Sequence, residues 1–266
     1  MKIDGQVIAK EIIENLKKTR EKIKEKLVLG IIKVGHDPEV DLFIKQKEKL
    51  AKELNIDFRV YNLKETVKKK ELRNFIKDLV KKKYPQGLIL QLPLPKHLNQ
   101  QYFLNALHTK DIECLTVKNL GYFFSGKPKI LPPSVKTVEV ILKKINFNPE
   151  EKNCLVLGYG KLIGKPIAHW LREKKANLIL PHRIEDDFLL KSDLIISGVG
   201  VPKIINKCKK GAVIIDFGYK KLENKIYGDL DEEKIENLAS YYTPTPGGTG
   251  PILVACLFEN FLEKFL

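Results

Sequence analysis

Apolar positions in residues 4–25 recur at Val7, Ile8, Ile12, Ile13 and Leu16, with lysines and glutamates between them, which is helical spacing. Residues 27–34 form an apolar run that stops at Gly35 and reads as a buried strand. Pro38 then opens a helix reaching about Leu54, since proline suits a first turn. Residues 56–62 alternate like a strand, 66–82 form a lysine-rich amphipathic helix, and 87–91 make another strand. This alternation predicts parallel β-α units with helices covering the sheet. Residues 92–132, with prolines at 93, 95, 128, 132 and 133, read as irregular.

A second series follows. It has helical spacing over 134–146 and 163–173, and strands at 154–157, 177–180, 193–197 and 213–216. That is the doubly wound pattern of a nucleotide-binding lobe. Residues 250–266 close the chain as a helix with an apolar face. The reading is an α/β protein of two lobes. A length of 266 residues allows this at roughly 150 residues per domain.

Composition narrows the class. A hydrophobic fraction of 43% with 30% charged residues suits a packed core rather than a disordered chain. The net charge is +15, mostly lysine in runs such as Lys68-Lys69-Lys70 and Lys81-Lys82-Lys83. Such a surface attracts anions. The chain has no basic–aromatic ladder and no recognition-helix motif, so the lysines read as solvated helix faces and nucleic acid is not an expected partner. Cys114, Cys154, Cys208 and Cys256 show neither CxxC spacing nor a histidine cluster, so no metal or disulfide is expected. The start MKIDGQVIAKEI carries no apolar signal core, and no apolar run approaches the ~18 residues that span a membrane. A soluble, cytoplasmic protein is expected.

The first chemical signal is CLVLGYGKLIGKP at 154–166. An apolar strand runs into Gly158-Tyr159-Gly160, and Gly164 lies on the following helix. The spacing is GxGxxxG, one residue longer than the commonest dinucleotide fingerprint. Gly158 permits a tight turn, Gly160 lets backbone approach a pyrophosphate, and Gly164 lets helix and strand pack closely. The helix N-terminus offers N–H groups and a positive dipole to phosphate. The same turn could exist without a ligand; the correct flanks, and a second strand about 20 residues on, favour a nucleotide. That second strand leads to Leu180-Pro181-His182-Arg183. Arg183 is placed to meet a 2′-phosphate, which favours NADP and leaves NAD open. Gly198, in Ser197-Gly198-Val199-Gly200, and Tyr219, after Asp216-Phe217-Gly218, end further strands where a cofactor could pass; both could be plain turns.

A second signal lies in the first lobe. Phe43 and Lys47 share a helix face at i and i+4, with Lys45 and Lys49 nearby. Gln91 ends a buried strand, where open α/β sheets bind ligands. A lysine in such a cleft can lose its proton and act as a base. Spacing alone does not separate Lys47 from the other lysines.

The segments GHDPEVDLFIKQKEK (35–49), GLILQLPLP (87–95), GYGKLIGKP (158–166), GAVIIDFG (211–218) and YYTPTPGGTGP (241–251) occur in order. Together they resemble the bifunctional methylenetetrahydrofolate dehydrogenase/methenyltetrahydrofolate cyclohydrolase family over essentially the whole chain. The resemblance implies an N-terminal folate-side lobe of residues 1–125 and 250–266, to which the C-terminal helix returns. It also implies a Rossmann-like NAD(P) lobe of residues 126–249, with the folate between them. The implied reaction is oxidation of 5,10-methylenetetrahydrofolate by NADP or NAD, then hydrolysis of the methenyl product to 10-formyltetrahydrofolate. Tetrahydrofolate derivatives and a second copy of the chain, as a homodimer, are the implied partners.

Residue by residue, the resemblance makes Lys47 the active-site lysine and Gln91 the residue that orients it, with Glu113 and Phe43 as the other catalytic positions. Phe43, Gln91, Leu92, Pro93, Glu113, Pro246, Gly247 and Gly248 would contact the folate. Gly158, Tyr159, Gly160, Gly164, Arg183, Gly198 and Tyr219 would hold the cofactor.

The departures fall mostly on the folate side. Phe43 stands where the family has tyrosine, and Val40 replaces a nearby polar residue. The family's KDVDG is Lys110-Asp111-Ile112-Glu113-Cys114, and its CTPxG is Pro133-Ser134-Val135-Lys136-Thr137. Oxidation needs chiefly positioning, whereas ring opening needs acid–base groups. Oxidation is therefore expected to be the better preserved activity. A shikimate-dehydrogenase-like enzyme and an inactive folate- or nucleotide-binding homologue are the alternatives; the first does not account for QLPLP or TPTPGGTGP.

Overall fold

The structure is a computed structural model and describes residues 1–223 and 225–266. Its contacts divide the chain into two units. One comprises Ile13–Pro133 with Leu257–Leu266, and the other Met1–Ile12 with Ser134–Cys256. The helices α1 (Gly5–Lys22) and α10 (Thr249–Leu262) each contribute to both.

In the first unit, β1 (Val28–Val34) is the centre of a parallel sheet, flanked by β2 (Asp57–Leu63) and β3 (Gly87–Leu90). β1 and β3 are buried along their whole length: β1 is the central strand, and the outer edge of β3 is covered where Leu88 bridges to Asp111. The expected alternation of β2 does not become alternating burial: all but one of its residues are half-buried. An edge strand has only one ladder partner, so its flanks stay partly open.

α2 (Pro38–Glu53) and α3 (Lys69–Lys81) are the crossovers. The α2 boundary has a local cause. Asp37 accepts from Glu39 N at 2.9 Å and Val40 N at 3.3 Å, and Pro38 occupies the first turn. α3 turns Leu72, Ile76 and Leu79 inward at helical spacing and leaves its lysines outside.

The segment 92–132, read as irregular, holds α4 (Gln100–Asn105) and α5 (Val117–Phe124). Both are short and side-chain-capped, by Asn99 and Thr116. Helices of six and eight residues show too few turns for a period to emerge. Asn260, fully buried on α10, donates to Ile112 O at 3.0 Å and Leu131 O at 2.8 Å, tying the end of the chain to this segment.

The other unit begins with α6 (Pro133–Lys144), β4 (Asn153–Leu157), α7 (Gly164–Glu173), β5 (Asn177–Ile179), α8 (Asp186–Lys191), β6 (Leu194–Ser197) and β7 (Val213–Asp216). A hairpin of β8 (Lys220–Leu222) and β9 (Lys225–Tyr227), then α9 (Glu232–Ile235) and β10 (Tyr241–Tyr242), complete it. The main sheet is parallel with order β10-β7-β6-β4-β5. The chain reverses direction across the sheet at β4, the switch point where doubly wound sheets take ligands.

The first twelve residues join this unit, whereas the expected boundary placed them with the other. The reason is backbone pairing: Ile3 N donates to Tyr242 O at 2.8 Å and Gly5 N to Gly247 O at 2.9 Å. Such pairing leaves no trace in hydropathy.

Two buried carboxylates organise the carboxyl ends of β6 and β7. Asp229 accepts from Ser197 Oγ at 2.6 Å, Val199 N at 2.8 Å and Val201 N at 2.7 Å. Asp216 accepts from Gly218 N at 2.6 Å and Leu230 N at 3.0 Å. Burial, reinforced by the charge of Asp229, pushes the Asp216 carboxyl up to about 7. Its ordinary value lies lower, so folding favours the protonated acid. That contribution is complete only below the ordinary value of 3.8 and is lost progressively as pH rises from there through about 7. Asp216→Asn should flatten this part of the melting-temperature profile. It should also lower the melting temperature at acid pH, because an amide nitrogen would face the Leu230 N–H. Thermal melts across this range check it; an unchanged slope would remove Asp216 as the cause.

Candidate active site and nucleotide-binding turn

Of the three lysines grouped on α2, the fold selects one. Lys47 is 8% exposed, while Lys45 and Lys49 are exposed. Lys47 lies on the stripe with Ile44, Leu50 and Ala51 that faces the sheet. Its Nζ donates to Gln91 Oε1 at 2.9 Å, and Gln91 Nε2 donates to Leu92 O at 3.1 Å. The second bond fixes which end of the amide meets the amine. Glu113 Oε1 stands 3.8 Å from Nζ, in ionic contact but beyond hydrogen-bonding distance.

Electrostatics follows burial. Burial pushes the Lys47 amine below the ordinary lysine range, with the Glu113 charge opposing. Burial likewise pushes Glu113 above the ordinary carboxylate range; Lys47 opposes this and Asp111 adds to it. Amine and acid are both driven toward their neutral forms, which an amine that serves as a base requires.

Phe43 is half-buried one turn before Lys47 on α2. Leu92 is half-buried and Pro93 exposed, just beyond the carboxyl end of β3. Thus the structure brings Lys47, Gln91 and Glu113 together, and Phe43, Leu92 and Pro93 lie on the adjoining segments.

Asp111 was missed as a contributor. It accepts from Glu113 N at 3.0 Å, Leu115 N at 2.9 Å, Thr116 N at 2.8 Å and Asn119 Nδ2 at 2.9 Å. It therefore holds the backbone that carries Glu113. An Asx turn at its own i+2 is the local signal that could have found it. Lys33 on β1, ion-paired with Asp41 on α2, was missed as well. Cys114 adopts φ 59°, a left-handed backbone at the position the family pattern gives to glycine.

The dinucleotide turn lies in the other unit, between β4 and α7. Gly158 has φ +83°, as a tight turn there needs. A Cβ on Gly164 would sit 1.8 Å from Gly158 O, so helix and turn touch backbone to backbone. A Cβ on Gly160 would meet nothing within 4 Å, which leaves its backbone open to a ligand. Tyr159, Leu162, Leu180, Val199 and Val201 are large apolar residues left exposed, all on segments that follow β4, β5 or β6. An apolar rim around a glycine turn and a helix N-terminus suits an aromatic ligand bearing phosphates.

Gly198 and Tyr219 lie just past β6 and β7. Arg183 is exposed between β5 and α8. Pro246, Gly247 and Gly248 form the loop that leads into α10.

Fold and sites together define a two-unit α/β protein with a buried lysine site and a Rossmann-type dinucleotide turn. The profile of the tetrahydrofolate dehydrogenase/cyclohydrolase catalytic domain matches residues 3–113, and that of the family's NAD(P)-binding domain matches residues 132–266. The chain belongs to this family. It is 33% identical over 273 residues to the bifunctional protein FolD of Clostridium novyi, covering 99% of this chain and 98% of that protein. The crystal structure of the FolD dehydrogenase/cyclohydrolase of Campylobacter jejuni superposes with a TM-score of 0.92 at 31% identity, covering 97% of this chain and 96% of that one. The Trypanosoma brucei enzyme, solved with NADP cofactor and inhibitor, superposes equally well at a TM-score of 0.92 and 26% identity, over 100% and 97% of the two chains. Shikimate dehydrogenase from Thermus thermophilus matches at a TM-score of 0.53 and 15% identity, a likeness of fold alone.

Proposed function

We propose that this protein oxidises 5,10-methylenetetrahydrofolate to the methenyl form with NADP and hydrolyses that product to 10-formyltetrahydrofolate. The observation that carries the reading is Lys47: buried, driven toward the free amine, and held by Gln91 at 2.9 Å beside the carboxyl end of β3. Burying an amine is costly and serves no purpose in a solvated helix face.

The residues fit a dinucleotide. Gly158, Gly160 and the first turn of α7 would take the pyrophosphate, Arg183 a 2′-phosphate, and Gly198 and Tyr219 the nicotinamide end. When bound, the cofactor supplies a hydride acceptor. The chain's own contribution to that step is orientation, with Phe43, Gln91, Leu92, Pro93, Glu113, Pro246, Gly247 and Gly248 as the proposed folate contacts. For ring opening, Lys47 removes a proton from the attacking water and returns one to the ring nitrogen, while Gln91 keeps Nζ aimed. The family habit supports a homodimer.

The test is a coupled assay with NADP and NAD that follows methenyl formation and methenyl decay separately. The expected result is reduction of NADP in preference to NAD, with decay faster than in buffer. Folded protein that turns over neither cofactor would overturn the reading. Phe43 favours a second reading, a dehydrogenase whose ring opening is weak, since the hydroxyl of the family's tyrosine is gone; the same assay separates the two.

A further inference from the structure

Pro246, Gly247 and Gly248 belong to a loop whose two feet stand on one residue. Asp216 N donates to Thr243 Oγ1 at 2.7 Å, and Thr249 Oγ1 donates to Asp216 O at 2.8 Å. Its crown is held from elsewhere: Gly247 O accepts from Gly5 N at 2.9 Å. Gly5 opens α1, where the first N–H groups have no partner within the helix. Asp4 Oδ1 takes those of Gln6 at 2.8 Å and Val7 at 3.3 Å, and the loop takes that of Gly5. All of these residues lie in one unit.

The contact is backbone on backbone. A Cβ on Gly5 would sit 1.7 Å from Gly248 O, 2.6 Å from Gly247 O and 2.6 Å from Gly248 C. Gly247 has φ +97°, and a Cβ on it would meet nothing within 4 Å. One side of the crown is therefore pressed on the start of α1, and the side on which Gly247 would carry a Cβ is open to a ligand. Ile3 N to Tyr242 O at 2.8 Å and Tyr242 N to Met1 O at 3.1 Å extend the pairing along the strand that leads into the loop. Resting on the folate contacts proposed above, we propose that Gly5 is a positioning residue for the reaction: through Gly247 and Gly248 it sets where the loop meets the folate, and only glycine at this position allows that setting.

A methyl at position 5 must push the carbonyls of Gly247 and Gly248 away, since backbone atoms cannot turn aside as a side chain does. The feet on Asp216 resist, so the displacement falls on the crown. A misplacement of about 1 Å in a group that positions substrate can cost on the order of a hundredfold in rate. The nucleotide turn follows β4, which β7 and β6 separate from β10, so the pyrophosphate end of NADP is not displaced with the loop.

The test compares wild type, Gly5→Ala and Asp4→Ala by steady-state oxidation of 5,10-methylenetetrahydrofolate, NADP titration and thermal melting. Gly5→Ala should lower kcat/KM for the folate about a hundredfold and leave the NADP dissociation constant near the wild-type value. Asp4→Ala removes a side chain bonded to Gln6 and Val7; it should lower the melting midpoint and keep kcat/KM. Amide exchange decides the matter if Gly5→Ala does not fold: tetrahydrofolate added to the wild type should slow exchange at residues 2–7 together with 243–249. Losses of kcat/KM that follow the melting midpoint alike in both variants, or exchange at 2–7 that ignores bound tetrahydrofolate, would make Gly5 a packing residue only and overturn the inference. A wild type with no turnover and no tetrahydrofolate binding overturns the proposed function and the inference with it, whereas turnover equal in wild type and Gly5→Ala overturns the inference alone.

Discussion

Lys47→Met is expected to slow hydrolysis of the methenyl substrate by about a hundred- to ten-thousandfold, the usual contribution of one positioned acid or base. Methionine matches the length of the stem and removes the amine. NADP affinity should stay close to the wild-type value, because the glycine turn that would hold it lies in the other unit. Stability should fall modestly: methionine removes the cost of burying the amine but leaves Gln91 Oε1 without its donor and Glu113 without its cation. Glu113 loses its cation and is driven further toward its neutral form. Two measurements decide this: 10-formyl product in a single-turnover assay, and the thermal midpoint. Product at an unchanged rate would remove Lys47 from the chemistry.

The second large effect is expected at Gly164. An alanine methyl there would lie 1.8 Å from Gly158 O, 2.8 Å from Gly158 C and 3.1 Å from Tyr159 Cα. All three are backbone atoms, so no side chain can turn away. α7 must shift off the turn, and the expected loss is about 3 kcal/mol or more, the upper end of overpacking. NADP affinity should fall with it. Gly160→Ala is the partner experiment. Its methyl meets nothing within 4 Å, so stability should hold while affinity falls, because the methyl occupies the approach of the pyrophosphate. Thermal melts with nucleotide titrations separate the two. A Gly164→Ala protein melting with the wild type would show that helix and turn are not in such close contact.

Regular elements longer than about two turns could be read from the chain because burial imposes a period. α2 was expected from Pro38 to about Leu54 and runs Pro38–Glu53. The strand expected at 213–216 is β7, Val213–Asp216. The four-residue α9 and the two-residue β10 lie below that resolution. β10 forms because tertiary partners hold it: Tyr242 pairs with Ile214 on β7 and, through a bridge, with Lys2.

The site divides in the same way. The glycine turn announces itself locally, since its requirements are conformational and fall on neighbouring residues. The lysine does not. Lys45, Lys47 and Lys49 are chemically identical in the sequence, and motif resemblance alone singled out the middle one. The structure supplies the physical reason: Lys47 shares the buried stripe of α2, and Gln91, 44 positions away, meets it at 2.9 Å.

By itself, then, the amino-acid order determined the helix and strand periods, the α/β class and the chemistry available at the Gly158–Gly164 turn. These depend on neighbours along the chain. Tertiary structure decided which lysine loses water, that Glu113 reaches it, that Asp111 and Asp229 become hubs for backbone N–H groups, and that the first twelve residues pair beside β10. Desolvation and long-range hydrogen bonds do this work. Both arise only when distant segments are brought together.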